Sequence, residues 1–497
     1  MEKQSVDKLS NLAARRSLII PSSSAYGEMV GFYDYGPVGI RIRHNIESLW
    51  RAIFIERLGN SELDTTIIAP EKVFEASGHL KKFTDPIAVC AKCGYSHRAD
   101  KVLEALFNKR GDKAKADGIK ALPIQELERL MRENKVKCEK CGTELPKVET
   151  FNLMFGTKIG PLKEIQGYFR PETAQGIFLD FKEVFRNCGL KLPVGIGQAG
   201  KAFRNEISPR QGLIRMREFS QMELEYFFDP EEDKLVIGDE QVDEAALMKV
   251  KLMMLTREQQ KANEEAKEMT IEKALKDGVI PNKLFAYLLT LEMEFLLSLG
   301  YPKEAIRFRQ VLLEELPHYS KGNMDCEVRF GDGFEEIAGN AYRTNFDLSN
   351  HQEYSKTDMS IVNNEKKLVP HVVELSFGWD RLFWTLLANS LYFDDKRGWD
   401  VLLLSEKSAP YRYAVFPLQK DEKLMKKAME LKHRLSDMGV SAYYSHTGSI
   451  GKRYARADEV GVLRAITIDY QTLEDDTVTV RDVKDATQVR KKTSEIR

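Results

Sequence analysis

From Arg215 to Tyr226 the chain alternates between two kinds of residue with a period of two, and this pattern restricts the fold more than any other in the sequence. Successive side chains of a strand point to opposite faces. Arg217, Phe219, Gln221 and Glu223 therefore share one face, and Met216, Met222, Leu224 and Tyr226 share the other. A strand over Ile196–Glu206 would group Gln198, Arg204 and Glu206. One over His371–Gly378 sets Glu374 and Ser376 against Val373, Leu375 and Phe377. Three strands, each apolar on one side and charged on the other, predict a sheet that packs on its back and works on its front. The competing reading is an ordinary sheet with a wet outer face. Arg, Glu, Phe and Ser together on three faces argue against it, because a merely solvated face more often carries Lys, Thr and Ser.

One hydrophobic core stops growing at roughly 250–300 residues, so 497 residues imply two or three domains. An apolar fraction of 42% with 30% charged residues is that of a globular chain. Charge breaks every apolar run well short of the ~18 residues of a membrane span. The start, Met1-Glu2-Lys3-Gln4, leads into a charged, helix-prone stretch without the features of a secretory signal, so a reducing, cytoplasmic setting is expected. With a formal charge of −1, any nucleic acid must be met by local basic patches.

Along the chain, Asp7–Ser17 reads as a short helix and Gly36-Pro37 opens a long one that Gly59-Asn60 closes. Thr65–Ala69, Met324–Phe330 and His371–Phe377 read as strands, and the last leads into a helix with Leu382, Leu386 and Leu387. Residues from about Asp229 to Lys283 are charged and expected to be helical. After Gly398, the strands Val401–Leu404 and Ser441–Tyr444 flank an amphipathic Asp421–Met438, the pattern of a separate α/β domain. Cys90-x₂-Cys93-Gly and Cys138-x₂-Cys141-Gly bracket a charged spacer, and two such knuckles suit tetrahedral Zn²⁺. Cys188 and Cys326 are isolated and read as ordinary packing.

Phe203-Arg204-Asn205-Glu206-Ile207-Ser208-Pro209-Arg210 followed by Arg217-Glu218-Phe219 resembles the second signature of class II aminoacyl-tRNA synthetases. Gly378-Trp379-Asp380-Arg381 resembles the third, and the long helix from Val38 with the strand near Pro70 is placed like the first. Four further strings resemble the glycyl-tRNA synthetase family in particular: Tyr33–Pro37, Glu75-Ala76-Ser77-Gly78-His79, Arg170–Gly176, and His318-Tyr319-Ser320-Lys321. The region after Gly398, with Gly448–Tyr454 and Asp458–Gly461, resembles the anticodon-binding domain of the glycyl, histidyl, threonyl and prolyl enzymes.

The resemblance implies an α+β fold: a class II antiparallel sheet core (1–89, 149–228, 284–397), a zinc-knuckle insertion (90–148), a helical insertion (229–283) and an anticodon-binding domain (398–497). It implies ATP-dependent attachment of glycine to tRNA(Gly) through an adenylate, by a homodimer using Mg²⁺. Arg204 and Arg381 are then the catalytic residues. ATP falls to Arg204, Asn205, Glu206, Ile214, Arg215, Met216, Arg217, Glu218, Phe219, Glu336, Ile337, Gly378, Trp379, Asp380 and Arg381, with Glu336 the candidate Mg²⁺ ligand. Glycine falls to Arg98, Glu172, Phe219, Ser220, Gln221, Met222, Glu223, Glu374, Leu375, Ser376, Phe377 and Gly378.

These residue types suit the reaction. A carboxylate attacking phosphorus needs no base, only cations that bring two anions together, and arginine binds both bidentately. A substrate without a side chain offers its ammonium as the remaining handle, which clustered glutamates can hold while excluding larger residues by overlap. The zinc unit is expected near the acceptor end of tRNA, and Arg453 and Arg456 are candidates for its phosphates. The chain departs from the family pattern at Phe330-Gly331-Asp332-Gly333-Phe334 and Asn340-Ala341-Tyr342-Arg343, which bears on local loop geometry. A non-catalytic relative or a synthetase for another amino acid are the alternatives. The signature arginines and pocket acids, and the strings at Tyr33 and Arg170, weigh against them.

Overall fold

In a computed structural model the alternating segments become neighbours in one mixed sheet of nine strands. The structure describes residues 6–497 except 28, 120–121, 162–164, 208, 210–211, 233, 239 and 318. Met1–Gln4, Ser208, Arg210 and His318 of the strings above lie outside the described residues.

The centre of the sheet is formed by β1 (Val194–Phe203), β2 (Glu218–Phe228), β3 (Asn323–Phe330), β4 (Gly333–Thr344) and β5 (His371–Gly378), in the spatial order β3-β4-β5-β2-β1. All four central pairings are antiparallel. The register sets Gln198 opposite Glu223, Glu223 opposite Ser376 and Glu225 opposite Glu374. The polar positions of three strands are thereby gathered into one patch.

The back of the sheet behaves as the alternation requires. Met222, Leu224, Tyr226, Val373, Leu375 and Phe377 enter one core with the helices Gly39–Trp50, Lys283–Leu299 and Trp379–Ser390. Phe54 and Phe295 pack on Phe377 with ring centroids 5.3 and 5.5 Å apart. Each such buried ring contributes roughly 1.5–3 kcal/mol. Gly197 is required on this face, because a β-carbon there would lie 2.8 Å from the Trp50 ring.

The front is not a wet face. Its outer half is roofed by the helix Ala174–Asn187, whose Phe181 stacks on Phe227 at 3.9 Å. Only Phe219, Gln221 and Glu223 of β2's front positions face an open cleft, and Glu225 is enclosed between the two regions. Away from that cleft, β2 is therefore covered on both faces.

Two signature strands are shorter than the alternation suggests. β1 stops at Phe203 and β2 begins at Glu218, leaving Arg204–Ile207 and Gly212–Arg217 outside the strands, with a tight turn at Gly212–Ile214. Arg204 N–H still donates to Arg217 O at 2.9 Å, but Glu206 N–H folds back onto Arg204 O, and Pro209 has no N–H to extend the ladder. Residues 229–283 also differ from expectation. Besides short helices they hold the strands Lys251–Leu255 and Lys267–Thr270, which widen the main sheet beside Ile306–Gln310. Leu252 and Met254 are fully buried with Met253 between them, a period-two pattern that the surrounding charge obscures.

The two cysteine pairs lie in a lobe with a core of its own, containing Ala88, Leu103, Phe107, Leu127, Met131 and Val136. A C-terminal five-stranded sheet is parallel over Ala442–Tyr444, Tyr413–Pro417 and Arg464–Ile468, then antiparallel through Thr477–Asp482 and Gln488–Lys492. Tyr413 and Val415 pack under the helix Glu422–Asp437, whereas Ala414 and Phe416 face Ile450–Glu459. The stretch at Val401 takes a different place. Trp399–Leu402 pairs with Leu391–Asp394, and Leu402 and Leu404 join the main core.

Candidate active site

The open half of the sheet front is a cleft of about 370 Å³, within the usual size of a small-molecule site. Glu172, Arg204, Glu206, Phe219, Gln221, Glu223, Glu336, Glu374, Ser376 and Arg381 all line it. Residues far apart in the chain meet here because β2 is flanked by both β1 and β5.

At one end the guanidinium of Arg204 lies 5.1 Å from the Phe219 ring and donates to Pro171 O at 3.0 Å. Arg381 donates to the carbonyls of Ile214 and Glu336 at 3.1 and 3.0 Å, and its guanidinium is 3.4 Å from the Glu336 carboxylate. Main-chain anchors of this kind hold each cation in place while leaving its remaining donors for a ligand. Asp380 accepts from Ser220 N–H and from the Tyr35 hydroxyl. It thereby ties the third signature to β2.

At the other end three carboxyls are packed with one buried guanidinium. Glu223 accepts from Thr173 N–H at 2.8 Å, Ser376 Oγ at 2.7 Å and Gln221 Nε2 at 3.1 Å. Glu172 accepts from Gln175 Nε2 at 2.9 Å. Glu374 accepts from Arg343 at 2.9 Å. Burial and the Glu172 charge raise the Glu223 carboxyl, and burial pushes Glu374 up to about 8 despite Arg343. Burial works in the same direction on Glu172, but His79 and Arg343 overcome it and hold that group well below the ordinary range. Enclosed Glu225, whose oxygens have no hydrogen-bond partner among the described residues, is raised well above that range by burial and by Glu374. This end of the cleft is short of positive charge.

Other residues singled out from the sequence divide between the cleft and its surroundings. Ser220, Ile214, Arg215, Met216, Ile337, Gly378 and Asp380 line the cleft, whereas Asn205, Arg217, Glu218 and Trp379 do not. Arg217 instead donates to the carbonyls of Glu206 and Val30, bracing the loop. The Met222, Leu375 and Phe377 side chains are in the core behind the sheet. Arg98 sits outside the cleft, paired with Asp85 at 2.7 Å and with Asp100. Arg453 is buried with its guanidinium on the carbonyls of Pro417 and Leu418, so it is not free for phosphate. Arg456 is half-buried, 3.3 Å from Thr447 O.

The site also includes Arg309, Asp325, Tyr319 and Arg343, to which the sequence alone gives no role. The first three line the cleft, and Arg343 grips Asp347 with bonds of 2.8 and 2.9 Å. The four-residue spacing of Arg343 and Asp347 and the Tyr319-containing string were the available signals.

In the cysteine lobe the four Sγ atoms lie within 4.8 Å of one another, with Cys90–Cys141 at 3.4 Å and Cys93–Cys138 at 3.6 Å. Tetrahedral zinc–thiolate geometry with bonds of ~2.3 Å needs sulfurs about 3.8 Å apart, so the donor set and spacing fit Zn²⁺. Gly94 and Gly142 follow each pair at φ +68° and +74°, a backbone turn that glycine adopts without strain.

Residues 163–390 match the family described as "tRNA synthetase class II core domain (G, H, P, S and T)", and 412–497 match "Anticodon binding domain". The glycine--tRNA ligase of Thermococcus gammatolerans is 39% identical over 562 aligned positions, covering 97% of this chain and 95% of that protein. The chain belongs to the glycine--tRNA ligase family. The Pyrococcus furiosus glycine--tRNA ligase is 38% identical, covering 100% of this chain and 98% of its own. Beyond this family, a solved prolyl-tRNA synthetase of Cryptosporidium parvum shares the fold with a TM-score of 0.58 at 13% identity. It covers 99% of this chain and 73% of its own. Among the described residues no helix is long and apolar enough to cross a membrane.

Proposed function

We propose that this chain joins glycine to ATP and then to tRNA(Gly). One observation carries the reading: the two arginines and the aromatic ring of the signature loop and helix share a single cleft with three glutamates. In the first step a glycine carboxylate oxygen attacks the α-phosphorus, and the bond to the departing pyrophosphate breaks. Arg204 bridges the two reacting anions, Arg381 takes the γ-phosphate and Phe219 stacks on adenine. Glu206 accepts from the adenine amino group. The main chain at Ile214–Met216, Ile337, Gly378 and Asp380 lines the nucleotide, and Arg217 braces the loop.

Glu172, Glu223 and Glu374, with Ser220, Gln221 and Ser376, receive the ammonium. From Met222, Leu375 and Phe377 only the main chain can contribute. A terminal tRNA hydroxyl then attacks the adenylate carbonyl, and AMP leaves.

Asp325 and Glu336 both line the cleft and are suited to a Mg²⁺ site completed by substrate phosphates. Mg²⁺ there would neutralise triphosphate charge. Zn²⁺ held by Cys90, Cys93, Cys138 and Cys141 would staple the insertion. We read the protein as a cytoplasmic homodimer, with the core, insertions and anticodon-binding domain bounded near residues 90, 148, 229, 283 and 398.

Pyrophosphate exchange measured with glycine, alanine, serine, threonine, proline and histidine tests the reading. Exchange driven by glycine, followed by charging of tRNA(Gly), is expected. Preference for another amino acid, or no exchange with any, would overturn it.

A further inference from the structure

The string Glu75–His79 lies outside the sheet and reaches Glu172 of the cleft wall through His79, and the reaction above leaves it without a task. We propose that Ser77 and His79 are positioning residues that fix the Glu172 carboxylate in the orientation that receives the substrate ammonium. This rests on the reading of Glu172 just given.

The helix Glu71–Ala76 ends at Ser77, and Gly78 at φ +82° turns the chain so that His79 points back beside Ser77. Ser77 Oγ is 2.7 Å from His79 Nδ1, and His79 Nε2 is 3.4 Å from Glu172 Oε2. Ser77 is buried, and Phe74 and Phe83 hold the imidazole edge-on at 6.2 and 5.7 Å. The ring cannot swing without displacing an aromatic neighbour.

Hydrogen-bond chemistry sets the direction of the relay. An ionised carboxylate only accepts, so a bare nitrogen lone pair at that distance would repel it. Nε2 therefore carries a hydrogen toward Glu172, while Nδ1 is paired with the Ser77 hydroxyl. The opposite oxygen of Glu172 is held by Gln175, whose own Oε1 is 2.8 Å from His351 Nε2. Arg343 stands 3.9 Å away on that side. The carboxylate is thus clamped from both flanks, and its remaining lone pairs face the cleft.

The clamp matters for this substrate class in particular. A substrate without a side chain is recognised by the geometry of a few carboxylates, so a freely rotating Glu172 would weaken capture without touching the nucleotide site.

Glycine and ATP KM values and kcat should be measured by pyrophosphate exchange for the full chain and for Ser77→Ala, His79→Ala, His79→Gln, Glu172→Gln and the His79→Ala/Glu172→Gln double variant. Ser77→Ala and His79→Ala should each raise the glycine KM by about tenfold, the scale of one hydrogen bond to a charged group, with ATP KM and kcat unchanged. His79→Gln returns an N–H donor and should recover most of the loss. In the double variant the two effects should fall short of additivity. Ser77→Ala removes one oxygen and keeps the test open if His79→Ala does not fold. An unchanged glycine KM in Ser77→Ala and His79→Ala, while Glu172→Gln raises it, would overturn this inference alone. An unchanged glycine KM in Glu172→Gln would overturn the assignment of Glu172 and this inference with it.

Discussion

The Arg343 guanidinium donates to Glu374 at 2.9 Å while its other edge is locked onto Asp347, and it is the cation shared by the buried carboxyls of the cleft. Burial works against its charge, but Asp347 and Glu374 together keep the group protonated far into the basic range. Tyr319 lies against its face at 3.9 Å.

Arg343→Met should therefore cost about 3–5 kcal/mol of folding stability, because it strands two carboxylates rather than removing a matched pair. Urea unfolding measures this. A midpoint equal to that of the parent chain would mean that the cluster is not balanced by this residue.

Glu292 supplies a pH test away from the cleft. Burial in the helix under the sheet pushes it up to about 8, with Asn340 Nδ2 2.8 Å from one oxygen. Its unfolded value is near 4.3, so the neutral folded form contributes stability that is complete below about pH 4.3 and is lost as pH rises through about 8. Glu292→Gln keeps the shape and cannot ionise. Its Tm relative to the parent should rise between pH 5 and pH 9, and a constant difference would contradict the burial account.

The same alternation that identifies the front face also shows where sequence reading stops. Met222, Glu223 and Leu224 could be sorted by face from their period alone. Which part of that face stays open could not, because the roof over Phe227 comes from Ala174–Asn187. Arg204 and Arg381 were legible as members of motifs, whereas Arg343 meets Glu374 and Asp325 meets Arg309 only through strand pairing. The strand Lys251–Leu255 was hidden by the charges around a five-residue element.

Phe219→Ala should raise the ATP KM by about tenfold, since stacking on a base is worth ~1–3 kcal/mol. The glycine KM should move less. Equal changes in both would place the ring between the two substrates rather than under adenine.

Native mass spectrometry should find one Zn²⁺ per chain, lost in Cys138→Ser. Because the cysteine lobe has its own core, chelation should raise hydrogen exchange over residues 84–152 and leave the five-stranded C-terminal sheet protected. Uniform protection after metal loss would argue that the thiols hold no structural ion.

The most direct test is a crystal structure with a non-hydrolysable glycyl-adenylate analogue. The account predicts adenine on Phe219, the phosphate mimic against Arg204, and the ammonium within hydrogen-bond distance of at least two of Glu172, Glu223 and Glu374. An ammonium facing solvent, or a nucleotide bound away from the front of the sheet, would contradict it.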